Sequence, residues 1–279
     1  MRLALPASLS FFLALASPYA ATSAEAGAGA LVPHRAVYDL ALDNASDRSG
    51  ITGLSGRMVY EFAGSACDGY TVTFRFVTRI DTDEASRLTD QQTSSYEDAE
   101  GRSFSFVTRS FVDKELNSEL KGVARAGEEG TVVSLDKPEA KEVRLETTQF
   151  PTHHLKDLLA RARKGETFYE TTLFDGSEAA DKVMTTTVVI GKEASAGSGD
   201  PELKAMAALA QARFRPVDIA YFDLDEAEAD GEELPSYRIS FKLYENGVTR
   251  DLLMDYGDFS LSGTLVDLDL FETPESCTR

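Results

Sequence analysis

The chain is poor in the residue types from which reaction centres are usually built. Its 279 residues include three histidines and two cysteines. His153 and His154 are neighbours, so on a helix their side chains diverge by about 100° and do not chelate one metal as an i, i+4 pair does. His34 stands alone. No G-x-S-x-G is present to mark a serine nucleophile. The G-x-G-x-x-G and P-loop patterns that cradle nucleotide phosphates are missing too. After the N-terminal region no stretch is uniformly apolar, whereas a membrane-crossing helix needs about 20 such residues. Positive charge is also scarce: 28 Lys and Arg stand against 47 Asp and Glu, for a net charge of −19. Such a field repels phosphate backbones and excludes nucleic acid as a partner. No period of 20 to 50 residues recurs, which argues against a solenoid or propeller.

Residues 1–26 read as a cleaved signal peptide. Arg2 supplies the positive start, Leu3 to Ala16 the apolar core, and Ala24-Glu25-Ala26 a small-x-small cleavage site, with cleavage after Ala20 the competing choice. No cysteine stands at the cleavage site to take a lipid anchor. Residues 27–279 then form one exported domain, since no shift in composition marks a boundary. Export removes Cys67 and Cys277 from the reducing cytosol, and their even count points to a bond between them; two free buried thiols are the alternative.

The remaining pattern is strand after strand. Tyr237, Ile239, Phe241 and Leu243 alternate with Arg238, Ser240 and Lys242, the mark of a strand with one buried face. Asn246-Gly247 suits a type I′ turn, and strands with Val248, Leu252 and Met254, then Phe259, Leu261 and Leu265, complete a meander. Earlier strands centre on Val37, on Ile51 to Ala63, where Gly53 and Gly56 suggest a bulge or sharp bend, and on Tyr70 to Thr78. Leu88 to Tyr96 is polar yet β-prone, as an edge strand or one wet on both faces would be. Short strands follow to Thr147. Helical spacing appears at Leu155, Leu158, Leu159 and Ala162, with Thr152 as a cap and Gly165 as the stop. A second helix is expected from Asp200 to Phe214, with Leu203, Met206, Ala207 and Ala210 on its stripe. The fold class is therefore mainly β, an antiparallel sheet with one or two amphipathic helices packed on it.

Two stretches invite a functional reading. The acidic loop Asp223, Asp225, Glu226, Glu228, Asp230, Glu232 and Glu233 offers oxygen ligands, but Glu228 occupies the sixth position where an EF-hand needs glycine, so no metal is assigned. Phe74, Arg75, Phe76 and Arg79, with Phe104, Phe106 and Arg109, alternate at strand spacing. They describe core aromatics with solvated arginines, or a sheet face that recognises a partner by pockets and strand addition. Paired carboxylates for glycoside hydrolysis could be drawn from 47 acids, which without geometry identifies none.

Several motifs, taken together, are specific. They are Val32-Pro33-His34-Arg35-Ala36-Val37-Tyr38, Cys67-Asp68-Gly69-Tyr70, Phe150-Pro151-Thr152, Phe174-Asp175-Gly176-Ser177 and Tyr221-Phe222. To these add Leu243-Tyr244-Glu245-Asn246-Gly247-Val248, Leu253-Met254-Asp255-Tyr256-Gly257-Asp258-Phe259 and the terminal Cys277. In this order the chain resembles the EipB family of cell-envelope integrity proteins of alphaproteobacteria, across its whole mature length. The resemblance implies a periplasmic protein of a Gram-negative cell, folded as a single strongly curved sheet (a β-spiral or open barrel). It implies one disulfide, which falls on Cys67 and Cys277, and a role in envelope integrity under stress, without catalysis or cofactor. Contacts with periplasmic or envelope proteins are then the expected mode of action. A carrier of lipid or lipoprotein in the concave face is the alternative, and a hydrolase the weaker third. A concave apolar cavity would favour the carrier, and a filled core with exposed strand edges the partner-binding module.

Overall fold

The computed structural model describes residues 30–177, 179–223 and 234–272. Among these the chain forms one antiparallel sheet and one α-helix. The first eight strands are β1 (His34–Ala45), β2 (Ile51–Ser65), β3 (Gly69–Thr82), β4 (Ser86–Glu97), β5 (Ser103–Val112), β6 (Glu115–Gly127), β7 (Gly130–Lys137) and β8 (Lys141–Leu145). Helix α1 (Pro151–Lys164) follows. Then come β9 (Phe168–Leu173), β10 (Met184–Ile190), β11 (Ala194–Ser195), β12 (Arg213–Phe222), β13 (Tyr237–Tyr244), β14 (Thr249–Asp255) and β15 (Phe259–Leu270). The order across the sheet is β8-β7-β6-β5-β4-β3-β2-β1-β15-β14-β13-β12-β10-β9, with β11 beside β12. Two meanders are thus joined where the last strand pairs with the first, Tyr38 opposite Leu265 and Leu40 opposite Gly263.

The sheet must be rolled, because α1 touches both of its halves. Leu158, Leu159 and Ala162 share one core cluster with Phe62 and Tyr70 of β2 and β3 and with Tyr169, Val188 and Val217 of β9, β10 and β12. In a flat sheet β3 and β9 would lie roughly 40 Å apart at about 4.8 Å per strand, far beyond a helix about 10 Å wide. The ends also approach each other: Phe106 of β5 lies against Phe174, just past β9, at 5.9 Å between ring centroids. The roll does not close. Instead the backbone after β8 reaches β9, with Gln149 N–H donating to Thr172 O at 3.2 Å and Phe174 N–H to Gln149 O at 3.0 Å.

Of the bulge or sharp bend anticipated at Gly53 and Gly56, a bulge is found beside Gly53. The register slips between Ile51 and Gly53, and a β-carbon on Gly56 would lie 2.2 Å from the Val77 carbonyl oxygen. Gly165 ends α1 in the left-handed region, its N–H bonded to Ala162 O.

Four local expectations are corrected. At Asn246-Gly247 only Gly247 has positive φ (88°); with Gly247 N–H donating to Tyr244 O, this is the type I turn with a glycine bulge rather than type I′. The two-residue type I′ signature occurs at Asp113-Lys114, φ 52° and 74°. Second, Thr152 does not cap α1: Phe150 is the N-cap residue, Pro151 opens the helix, and no side chain of the cap itself bonds the first turn. Third, residues 200–212 form successive turns and a short 3₁₀ stretch, not a second α-helix. Glu202 and Met206 are drawn inward to the core, and Phe214 is taken by β12, opposite Tyr244. Fourth, of the two readings of Leu88 to Tyr96 the edge is excluded, since Ser86–Glu97 is an interior strand between β3 and β5, while both of its faces are exposed or half-buried as far as Tyr96.

Candidate functional site

Strand alternation divides β3 cleanly. Arg75 and Arg79 face outward and exposed, while Phe74, Phe76 and Ile80 face the concave side yet remain only half-buried. Their neighbours on β4 are polar but neutral: Thr93 opposite Phe74, Gln91 opposite Phe76, Thr89 opposite Thr78. Thr78 and Thr89 bond each other at 2.6 Å, and Thr93 and Thr108 at 3.0 Å. Across the trough runs a row of rings, Tyr221 to Tyr237 at 5.4 Å, Tyr237 to Tyr256 at 4.9 Å and Tyr256 to Phe259 at 5.0 Å. Burial pushes the Tyr221 and Tyr237 phenols above their ordinary pKa, so both stay neutral in any physiological medium. The recess between these walls, lined by Leu54, Phe76, Gln91, Ser110, Tyr256 and Phe259 among others, has a volume of about 170 Å³.

The two Arg/aromatic stripes singled out in the sequence therefore part company. Phe104 and Phe106 are core residues, stacked on each other, with Phe104 also stacked on Phe150. Phe74 and Phe76 belong to the trough. The arginines lie on the convex side, where Arg75 pairs with Asp90 at 2.9 Å and Arg109 with Glu119 at 2.7 Å. Strand addition at β3 or β5 is ruled out, since both are interior. The β9 edge is covered in part by Gln149, and β8 is five residues long with Lys141, Glu142 and Arg144 along it, the charge and brevity that discourage pairing.

One end of the concave side is plugged by residues 200–212, held by a buried ionic knot that sequence reading missed. Arg250 is 0% exposed. Its Nη1 donates to Glu202 Oε2 at 2.7 Å and pairs with Asp200 Oδ2 at 2.9 Å, and its Nε donates to the Tyr244 hydroxyl at 2.9 Å. Glu202 Oε1 accepts the Leu265 and Asp251 amides, the latter from a residue turned to φ 53°. Burial opposes ionisation of Asp200, but the Glu202 amide and the Arg250 guanidinium together hold its carboxyl below the ordinary range. A signal did exist: Arg250 falls on the same strand face as Val248, Leu252 and Met254.

The histidines stay apart in role. His34 is buried, its Nδ1 2.7 Å from Val32 O, beside the Tyr60 and Phe62 rings. His154 is buried on α1, and burial, opposed by the Asp157 carboxylate, lowers its pKa to about 4. An unfolded imidazole titrates near 6.5, so between the two values the unfolded chain binds a proton the folded chain does not. Stability should fall as pH drops through that window, by up to roughly 3 kcal/mol. Urea melts at about pH 7 and about pH 4.5 should show a smaller loss for His154→Phe than for the parent; an unchanged loss contradicts this assignment.

Among the described residues no three or more His, Cys, Asp or Glu side chains gather as a metal site, and no helix is long and apolar enough to cross a membrane. Of the acidic loop, Asp223 pairs with Lys182, and residues 224–233 lie outside the described residues. So do the signal region, residues 1–26, and Cys277. Cys67 sits in the exposed β2–β3 turn, where Ser65 Oγ accepts its N–H and that of Asp68.

A rolled, unclosed antiparallel sheet around one helix defines the class. The EipB-like family model matches residues 25–272, and the chain belongs to that family. It is 54% identical over 261 residues to the cell envelope integrity protein EipB of Brucella abortus (strain 2308), covering 93% of this chain and 91% of that one. It also matches the crystal structure of a β-barrel-like protein of a domain of unknown function from Brucella abortus. There the TM-score is 0.84 at 55% identity, over 88% of this chain and 100% of the other. A role in the cell envelope follows at that level of description.

Proposed function

We propose that this chain is a non-enzymatic periplasmic protein that supports the envelope by holding a segment of a partner protein on its concave face. The trough carries this reading: half-buried aromatic rings and neutral hydroxyl and amide groups line a recess of about 170 Å³. Sites that enclose a small-molecule ligand run from about 300 to 1,000 Å³, so this recess suits one or two side chains of a docked protein better than a lipid. α1 and the plug occupy much of the remaining concave face, leaving between them a separate crevice of about 630 Å³. The signal peptide at residues 1–26 and a single domain over residues 27–279 belong to the same proposal.

So does a Cys67–Cys277 disulfide. Phe271 N–H donates to Pro33 O, and His34 beside it pairs with Phe62 of β2. From Phe271 the chain to Cys277 reaches roughly 20 Å when extended, enough to cross two strand spacings to the β2–β3 turn. Alkylation of both thiols without prior reduction would sink the pairing.

For the trough, Phe76→Asp should leave the protein folded but fail to restore detergent resistance to a strain lacking it. Arg79→Asp, on the convex side of the same strand, should restore it. Full rescue by Phe76→Asp would refute the concave-face reading.

A further inference from the structure

We propose a second site, separate from the trough, that binds a single-chain anionic amphiphile of the long-chain carboxylate type. It is the crevice between the C-terminal end of α1, the start of β12 and the β13–β14 turn, about 630 Å³ in volume, within the usual size range of small-molecule sites. The crevice is a seam between two core clusters. Leu159, Ala162 and Leu243 on one side belong with α1, and Leu209 and Phe214 on the other belong with the plug. Its floor is therefore apolar, and its volume suits one aliphatic chain rather than two.

The mouth is cationic, in a chain whose net charge is −19. Among the described residues that line it, Arg163, Arg213 and Arg215 meet two carboxylates, Glu193 and Glu245. Arg163 pairs with Glu245 at 2.7 Å, and Arg213 with Glu193 at 2.5 Å. Arg215 is left with the weakest contacts, 3.4 Å to Glu193 Oε2 and 3.5 Å to Gly191 O. A guanidinium has five N–H donors in a fork that matches a carboxylate, so Arg215 has donors to spend on an incoming anion. The carbonyl end of α1 repels negative charge, which directs the head group to the Arg213–Arg215 side and the tail along Leu159 and Ala212.

Titration calorimetry of the purified full chain with sodium dodecanoate, below its micelle concentration, tests this. Binding is expected for the parent, weakened about tenfold or more by Arg215→Gln, as loss of a charged hydrogen bond implies. Ala212→Trp, which fills the seam without changing charge, should abolish it. Dodecyl maltoside, with the same tail and a neutral head, should bind more weakly than dodecanoate. Phe76→Asp should leave dodecanoate affinity unchanged, so the crevice and the trough succeed or fail independently. No binding to the parent, or equal affinity in Arg215→Gln or Ala212→Trp with circular dichroism unaltered, would overturn the proposal.

Discussion

Replacing Arg250 with leucine is expected to destabilise the chain by roughly 3–5 kcal/mol, the range seen when one partner of a buried ion pair is removed. The substitution strips Glu202 and Asp200 of the guanidinium that both share. Glu202 would still accept the amides of Leu265 and Asp251, but a carboxylate 2% exposed would lack its counter-charge. The effect should be largest where the plug meets β14 and β15, because the knot is what ties residues 200–212 to those strands. Adding Glu202→Gln and Asp200→Asn should recover most of the loss, since neutralising the whole group removes the orphaned charges. Equilibrium urea unfolding reads both. A loss below about 1 kcal/mol in Arg250→Leu would mean the knot is solvated rather than buried.

Replacing Glu97 with alanine is expected to cost about 2–3 kcal/mol, by uncapping α1. Glu97 is the last residue of β4, and its two oxygens accept the Thr152 and His153 amides at 2.7 and 2.8 Å. The first turn of the helix is thus capped from another strand, in place of the cap that Phe150 cannot provide. Lys156 Nζ, donating to Ala99 O at 3.4 Å, ties the next turn to the same hairpin. Loosening this end frees the leucines that hold the two halves of the roll together. Hydrogen exchange should show lost protection in α1 before the strands. Burial outweighs the two amide bonds and raises the Glu97 pKa, so its contribution is greatest below the unfolded carboxyl pKa and is lost as pH rises through the folded one. Glu97→Gln should keep one amide bond, lose about half as much stability and flatten that pH dependence.

These two residues also mark where the sequence stopped being informative. Period and turn chemistry reveal the strands within a few residues, because each side chain's face is set by its own position and its neighbours'. Ser103–Val112 falls where Phe104, Phe106 and Thr108 alternate, and α1 ends where Gly165 stops it. Glu97 caps a helix 55 residues away, a relation no local pattern carries. The segment from Asp200 had an alanine-rich helical look, yet its path follows the side chains it sends into the core. Phe74 and Phe104 look alike along their strands. Which of them lines an open trough depends on how tightly the sheet rolls, and that rests on α1 bridging distant strands.

The concave-face reading is most directly tested by a photoreactive amino acid placed at position 76 and, separately, at position 79, with crosslinking in living cells. An adduct to an envelope protein from Phe76, absent from Arg79, is the result the account predicts. No adduct at position 76, or the same adducts from both faces of β3, would contradict it.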